Sequence, residues 1–102
     1  MAKGDVVSAI SAAVAAAGNL DYTPAAGVEA MITHVGSDSQ AADLSIRLYN
    51  GTTAVELGTF DSNQVTFAMT AMKILVNNTN YLRLTNNNGG AQDLAYCGIQ
   101  TK

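Results

Sequence analysis

The only imidazole and the only thiol of the chain are the side chains that could make a reactive or metal-binding site. His34 is the single histidine and Cys97 the single cysteine among 102 residues. Nucleophilic catalysis needs a nucleophile, a base and a group that orients the base, and the spacing of these two residues does not predict a dyad. A structural zinc site needs about four ligands of cysteine or histidine type. Only symmetry between copies could multiply His34 into a shared site.

The sequence around both residues predicts structural roles. His34 falls on the same face of a predicted strand as Ala30 and Ile32, which is typical of a core or interface histidine. Cys97 follows Tyr96 in the last predicted strand, which favours a buried thiol. The polar loops at 37–40 and 61–63 lack the spacing of acidic residues that calcium loops require, so we interpret them as solvated turns.

No pair among the eight acidic residues stands out as a general acid and base, and no glycine-rich phosphate loop is present. We therefore expect no catalytic residue, no metal ligand and no cofactor, and we predict that the protein is not an enzyme.

The elements that must position these residues read as short β-strands separated by turns. The clearest strand is predicted over residues 43–49, where Leu44, Ile46 and Leu48 alternate with more polar neighbours. Asn50–Gly51 then predicts a hairpin turn, because both residue types tolerate positive φ. Roughly eight such strands, with turn signals about every 8–12 residues, predict an all-β sandwich or barrel. Of the two we expect a single antiparallel β-sandwich.

The N-terminal segment is ambiguous, because its apolar residues fit two periodicities. Val7, Ile10 and Val14 have helical spacing, whereas the alternation of Ile10 with Ala12 and Val14 fits a strand, which we favour. Two units are predicted: an N-terminal arm of uncertain structure at 1–17 and a β-sandwich domain at 18–102.

The chain is poor in charge, and this bounds its partners. Charged residues make up 13% of the sequence against 48% apolar residues, about half the usual charged share. A small domain of this kind is expected to bury surface against copies of itself or against another protein. The five basic residues are scattered along a chain of net charge −3. We therefore expect no nucleic-acid partner and no membrane partner.

Four stretches resemble parts of small virion proteins of tailed phages. Residues 20–33 are similar to their strand–Pro–Gly–strand opening, 48–52 to their central hairpin, and 81–86 with 95–100 to their closing strands. Together the stretches cover about a third of the chain. The resemblance is to capsid decoration (cement) proteins, which are small β-sandwiches, often jelly-roll-like, that trimerise over local three-fold axes of a capsid.

This resemblance implies a structural virion protein on the capsid exterior, assembled in the host cytoplasm. Its expected partners are two further copies, as a homotrimer, and the major capsid protein, whose junctions it would bind to stabilise the head. The arm would reach a neighbour or the shell through its larger apolar residues, Val6, Val7, Ile10 and Val14. The alternatives are another phage β-module, such as a head-fibre, tail or receptor-binding component, or a small lectin-like binding domain.

Overall fold

The computed structural model describes residues 2–37, 44–60, 68–69 and 73–102. Within these ranges the chain contains no helix and forms nine strands in two antiparallel sheets. The predicted all-β sandwich is therefore confirmed. The strands are β1 (Val6–Val14), β2 (Asn19–Tyr22), β3 (Ala30–Ser37), β4 (Leu44–Tyr49), β5 (Ala54–Phe60), β6 (Ala68–Met69), β7 (Ile74–Val76), β8 (Tyr81–Asn86) and β9 (Gln92–Gln100).

The strand order is that of a jelly roll. One sheet has the order β1-β9-β3, with β6 and β7 both pairing with β3, and the other has the order β2-β8-β4-β5. Because β6 and β7 pair with different stretches of β3, they share one strand position, which leaves eight positions in two four-position sheets. The predicted loop residues 38–40 and turn residues 61–63 lie outside the described ranges. No helix in the described ranges is long and apolar enough to cross a membrane.

The core lies between the two sheets and is built from the alternating residues that the sequence predicts. Leu44 and Ile46 of β4 are buried together with Leu82 and Leu84 of the neighbouring β8. Ile32 of the other sheet is also fully buried. Alternation places these side chains on one face of each strand, and their burial supplies the main driving force for folding.

A bulge in β3 changes which face His34 occupies. The pairing of β3 with β9 shifts register between Ile32 and His34. As a result Ile32 and Val35 both point into the core, although they lie three residues apart, and Thr33 and His34 both face outward. The core alternative for His34 is therefore wrong, because it assumed unbroken alternation through residues 28–35, whereas the interface alternative stays a prediction.

The N-terminal segment forms an edge strand of the five-stranded sheet. β1 pairs with β9 from Val6 to Val14, with an irregularity between Ser11 and Val14. Val7 and Val14 contribute to the core. The extended conformation is thus the one adopted, and residues 6–14 belong to the sheet rather than to an arm outside the sandwich.

The turn between β1 and β2 holds an alanine in a left-handed conformation. Ala17 has φ of 62°, where the Cβ atom of an L-residue crowds the backbone at a cost of about 1–2 kcal/mol. We expect Ala17→Gly to raise the free energy of unfolding by about 0.5–1 kcal/mol and the melting temperature by a few degrees. Ala16→Gly, at an exposed neighbour outside the left-handed region, should lower both. Equal destabilisation by the two changes would contradict the prediction, and calorimetry of each purified variant measures it.

Candidate interaction surface

The outer face of the five-stranded sheet is apolar and free of formal charge over most of its area. Between the paired positions Val6–Ile99 and Ile10–Ala95, strands β1, β9 and β3 present no carboxylate, ammonium or guanidinium group. We call this surface the apolar face. It consists of Val6, Ser8, Ile10, Met31, Thr33, His34, Gly36, Leu75, Ala95, Cys97 and Ile99.

A row of large apolar side chains crosses one end of the apolar face. Val6 pairs with Ile99, Ile99 pairs with Met31 and Met31 pairs with Leu75, so the row spans four strands. Val6 is 72% exposed and Leu75 is 70% exposed. A continuous row of apolar side chains that is exposed on the single chain is typical of a surface that binds another protein.

A shallow depression of about 490 Å³ lies beside this row. Small residues, including Gly36, Ala95 and Cys97, line it, and Ile10 and His34 also contribute. Ile10 is 82% exposed, so the isoleucine projects next to a concavity on the same face. This combination of a knob and a hole suits packing of one protein surface against another.

The outer face of the four-stranded sheet has the opposite character. Asp21, Arg83, Arg47 and Glu56 are cross-strand neighbours in that order. Arg83 donates two hydrogen bonds to Asp21, at 2.8 Å from Nε and 2.7 Å from Nη2, and the hydrogen bond to Asp21 raises the pKa of Arg83. Arg47 Nε lies 3.9 Å from Glu56 Oε1. Each arginine therefore forms an ion pair with a different carboxylate, and this polar face is suited to exposure to solvent.

The structure separates the four residues predicted to bind a partner. Val6 and Ile10 lie on the apolar face, but Val7 and Val14 are only 4% and 8% exposed and pack in the core. Strand alternation is the reason, because neighbouring side chains of β1 point to opposite faces. Val7 and Val14 therefore cannot contact a partner.

Sequence reasoning missed most of the apolar face, because strand pairing assembles it from distant segments. Met31, Leu75 and Ile99 read as ordinary strand residues until their register is known. The structure also makes His34 and Cys97 direct cross-strand partners, which their separation in sequence did not predict. In the described ranges no three His, Cys, Asp or Glu side chains come together as a metal site.

Inside the sandwich, two tyrosines of opposite sheets meet. The ring centroids of Tyr22 and Tyr96 are 5.4 Å apart. Burial raises the pKa of both hydroxyls. The Tyr22 hydroxyl is buried without a hydrogen-bond partner in the described part of the chain. A buried hydroxyl without a partner lowers the free energy of unfolding, because on folding it loses its hydrogen bonds to water and gains none within the protein.

Tyr22→Phe tests this cost. At pH 7 we expect the free energy of unfolding to be unchanged or higher, because an unpaired buried hydroxyl is removed. Above pH 10, unfolded tyrosine ionises before the buried groups do, so the stability of the parent protein falls as pH rises. The variant should lose less stability in that range.

Urea unfolding at pH 7 and at about pH 10–11 measures both effects. Tyr81→Phe, on the outer face of the four-stranded sheet, is the matched control. A loss of more than about 1 kcal/mol at pH 7 for Tyr22→Phe would mean that the hydroxyl has a partner.

Comparisons with known proteins bear on the fold. No protein-family model matches the chain, and no curated protein matches it. The chain is similar in structure to Drosophila NLP-core, whose crystal structure concerns pentamer formation and histone binding. The TM-score is 0.54 at 10% sequence identity, and the match covers 95% of this chain and 98% of the other. Such low identity shows a shared fold and nothing about partners.

Proposed function

We propose that the protein is a capsid decoration (cement) protein, a structural virion component that trimerises and binds across junctions of the major capsid protein to stabilise the head. The observation that carries the proposal is the contrast between the two outer faces. One is apolar over four strands, and the other has paired ions. A protein that functions by burying surface needs such a face.

The size of the apolar sheet supports self-association. Strands lie about 4.8 Å apart and rise about 3.3 Å per residue, so four strand positions and the five residues from Ala95 to Ile99 span on the order of 300 Å². A standard interface buries about 800 Å² per partner. The apolar face therefore supplies the apolar centre of one stable contact, and edges or loops would supply the rest of its area.

The resemblance to phage virion proteins supplies the identity of the larger partner. Jelly rolls are common in viral capsid proteins, and a clamp across capsomer junctions stabilises the shell by burying new area. Three linked copies multiply a modest contact into strong attachment through avidity. A decoration protein of this kind needs surface chemistry only, which agrees with a chain that offers few reactive groups.

The first test is the oligomeric state of a variant with a charge on the apolar face. We expect the parent protein to have a mass three times 10.5 kDa, about 31 kDa, in light scattering after size exclusion. Ile10→Lys should shift it to monomer, because an ammonium group would be buried without a partner. Thr59→Lys, at an exposed position of β5, is the matched control and should remain a trimer. A parent protein that is monomeric at all concentrations would contradict the proposed trimer.

The second test is cosedimentation with empty capsids of the phage that encodes the chain. The parent protein and Thr59→Lys should sediment with capsids, and Ile10→Lys should remain in the supernatant. A deletion of residues 2–17 is not suitable for this test, because it would remove edge strand β1 and two core valines. Absence of the parent protein from the capsid pellet would contradict the decoration function.

A second candidate is a pentameric ring that binds a basic partner, because NLP-core shares the fold. The chain has net charge −3, but Asp21 and Glu56 already pair with arginines and offer little to a basic ligand. We rank it below the first candidate for that reason. A mass five times 10.5 kDa, about 52 kDa, would favour the pentamer over the trimer.

A further inference from the structure

The β3 bulge creates a pair of metal-ligating side chains at the centre of the apolar face. His34 and Cys97 occupy directly opposite positions of β3 and β9, where Cβ atoms are about 5 Å apart. Both line the depression on this face. Without the bulge His34 would continue the alternation of Ile32 and point into the core, so the extra residue specifically aims the imidazole outward beside the thiol.

A hydrogen-bond chain sets the tautomer of His34. The Thr33 hydroxyl donates to the Cys97 carbonyl at 3.3 Å, and Thr33 Oγ1 lies 2.9 Å from His34 Nδ1. A hydroxyl has one proton, so when Thr33 donates that proton to the Cys97 carbonyl, Nδ1–H of His34 donates to Thr33. Nε2 then carries the free lone pair. Metal-binding histidines are held in the same way, with the second ring nitrogen donating to a fixed acceptor.

We propose that Cys97 and His34 form part of a zinc-type metal site that is completed by the same two residues of other copies. Thiolate sulfur and imidazole nitrogen are the ligands that Zn²⁺ prefers, in a tetrahedral set of four. One chain supplies two of them. In the proposed trimer, a three-fold axis that passes through the apolar face near Cys97 brings three copies of the pair together, and the metal would take its four ligands from these three thiolates and three imidazoles.

This inference rests on the proposed self-association through the apolar face. It also gives a reason why His34 and Cys97 lie side by side on a surface whose other side chains are mostly apolar or small. Cys97 lies on β9, the strand between β1 and β3, so it is near the middle of the sheet, where an axis would cross. The surrounding side chains are apolar or small, and an apolar shell that excludes water strengthens metal–ligand bonds.

The test uses Co²⁺ as a spectroscopic substitute for Zn²⁺, added to the reduced, metal-free full-length protein. We expect a thiolate-to-cobalt charge-transfer band and strong tetrahedral ligand-field bands that saturate at one Co²⁺ per three chains. Zn²⁺ should displace the cobalt. Light scattering should show the oligomer at lower protein concentration with metal than with a chelator.

Variants identify the ligands. Cys97→Ser should abolish the charge-transfer band, and His34→Gln should reduce the tetrahedral bands and weaken binding by at least tenfold. Thr33→Val should weaken binding about tenfold, because the imidazole loses its fixed tautomer. Ser8→Ala, at the position paired with Cys97 on its other side, is the matched control and should bind as the parent does.

The outcomes separate this inference from the proposed function. An oligomer that persists in chelator and shows no cobalt bands would overturn the metal site and leave the capsid clamp intact. Saturation at one Co²⁺ per chain without a change of mass, or a charge-transfer band in Cys97→Ser, would also overturn it. Metal-dependent assembly together with no capsid binding would support the metal site and overturn the decoration function.

Discussion

Replacing Asn86 by alanine is expected to lower the free energy of unfolding by about 3–4 kcal/mol, the largest effect of any single polar substitution in the described chain. Asn86 is 0% exposed. Its Nδ2 group donates to the carbonyls of Val14 and Gly90, each at 2.9 Å, and its Oδ1 atom accepts from the backbone of Asn88 at 2.9 Å. Alanine would leave these groups buried or half-buried without partners.

The backbone of Asn86 adds to the effect, because it joins the same region from the other side. Its N–H donates to the Gly18 carbonyl at 2.9 Å, and its carbonyl accepts from the Ala17 N–H at 2.8 Å. The residue thus connects the end of β1, the start of β2 and the loop between β8 and β9. Loss of the side chain should loosen all three segments, which hydrogen exchange would report as faster exchange at Ala17.

Asn86→Asp is the sharper version of the experiment, because it preserves shape and removes the donor. An ionised carboxylate would face the carbonyls of Val14 and Gly90, so burial and repulsion would raise its pKa above that of an unfolded aspartate. The variant should be most stable in acid and should lose stability as pH rises above about 4, because the carboxyl of the unfolded chain ionises first. Urea unfolding measures both variants, and Asn80→Ala, at an exposed turn position, should cost less than about 0.5 kcal/mol.

The elements that the sequence predicted well are those in which one strong local pattern persists. Leu44, Ile46 and Leu48 alternate without interruption, and Asn50–Gly51 follows them with a turn. Gly51 has φ of 91°, and Oδ1 of Asn50 accepts from the N–H groups of Thr52 and Thr53 at 3.0 and 2.7 Å. Both features depend on neighbours in sequence alone, so the sequence is sufficient to predict them.

The candidate surface could not be predicted in the same way, because it depends on pairing between distant strands and on one extra residue. The position of His34 reverses when the bulge adds Thr33 to β3, and no signal inside residues 28–35 marks that insertion. The signal lies some 60 residues away, at Gly98 in the last predicted strand, where the isolated glycine indicates a possible bulge. The pairing register of the strands places these residues, which are distant in sequence, on one face of the sheet.

Gly98→Ala is expected to lower the free energy of unfolding by at least about 3 kcal/mol, because an added Cβ atom would collide with the backbone of the neighbouring strand β3. A Cβ atom on residue 98 would collide with the Met31 carbonyl oxygen and would lie 2.8 Å from the Ile32 Cα atom. Both neighbours are backbone atoms of β3, which cannot rotate away as a side chain could. Relief requires β3 and β9 to separate, and this would break ladder hydrogen bonds beside the bulge.

The same substitution links the fold to the proposed surface. Because Gly98 pairs with Ile32 next to the register shift, forcing the strands apart should change how Thr33 and His34 are presented. We expect unfolding at lower urea concentration and loss of the oligomer under conditions where the parent protein assembles. Gly89→Ala is the control, since an added Cβ atom there meets nothing within 4 Å, and its stability should change by less than about 0.5 kcal/mol. Equal stability of the two variants would mean that β9 has room for a Cβ atom beside β3 at residue 98, and the proposed link between this close contact and the outward position of His34 would be wrong.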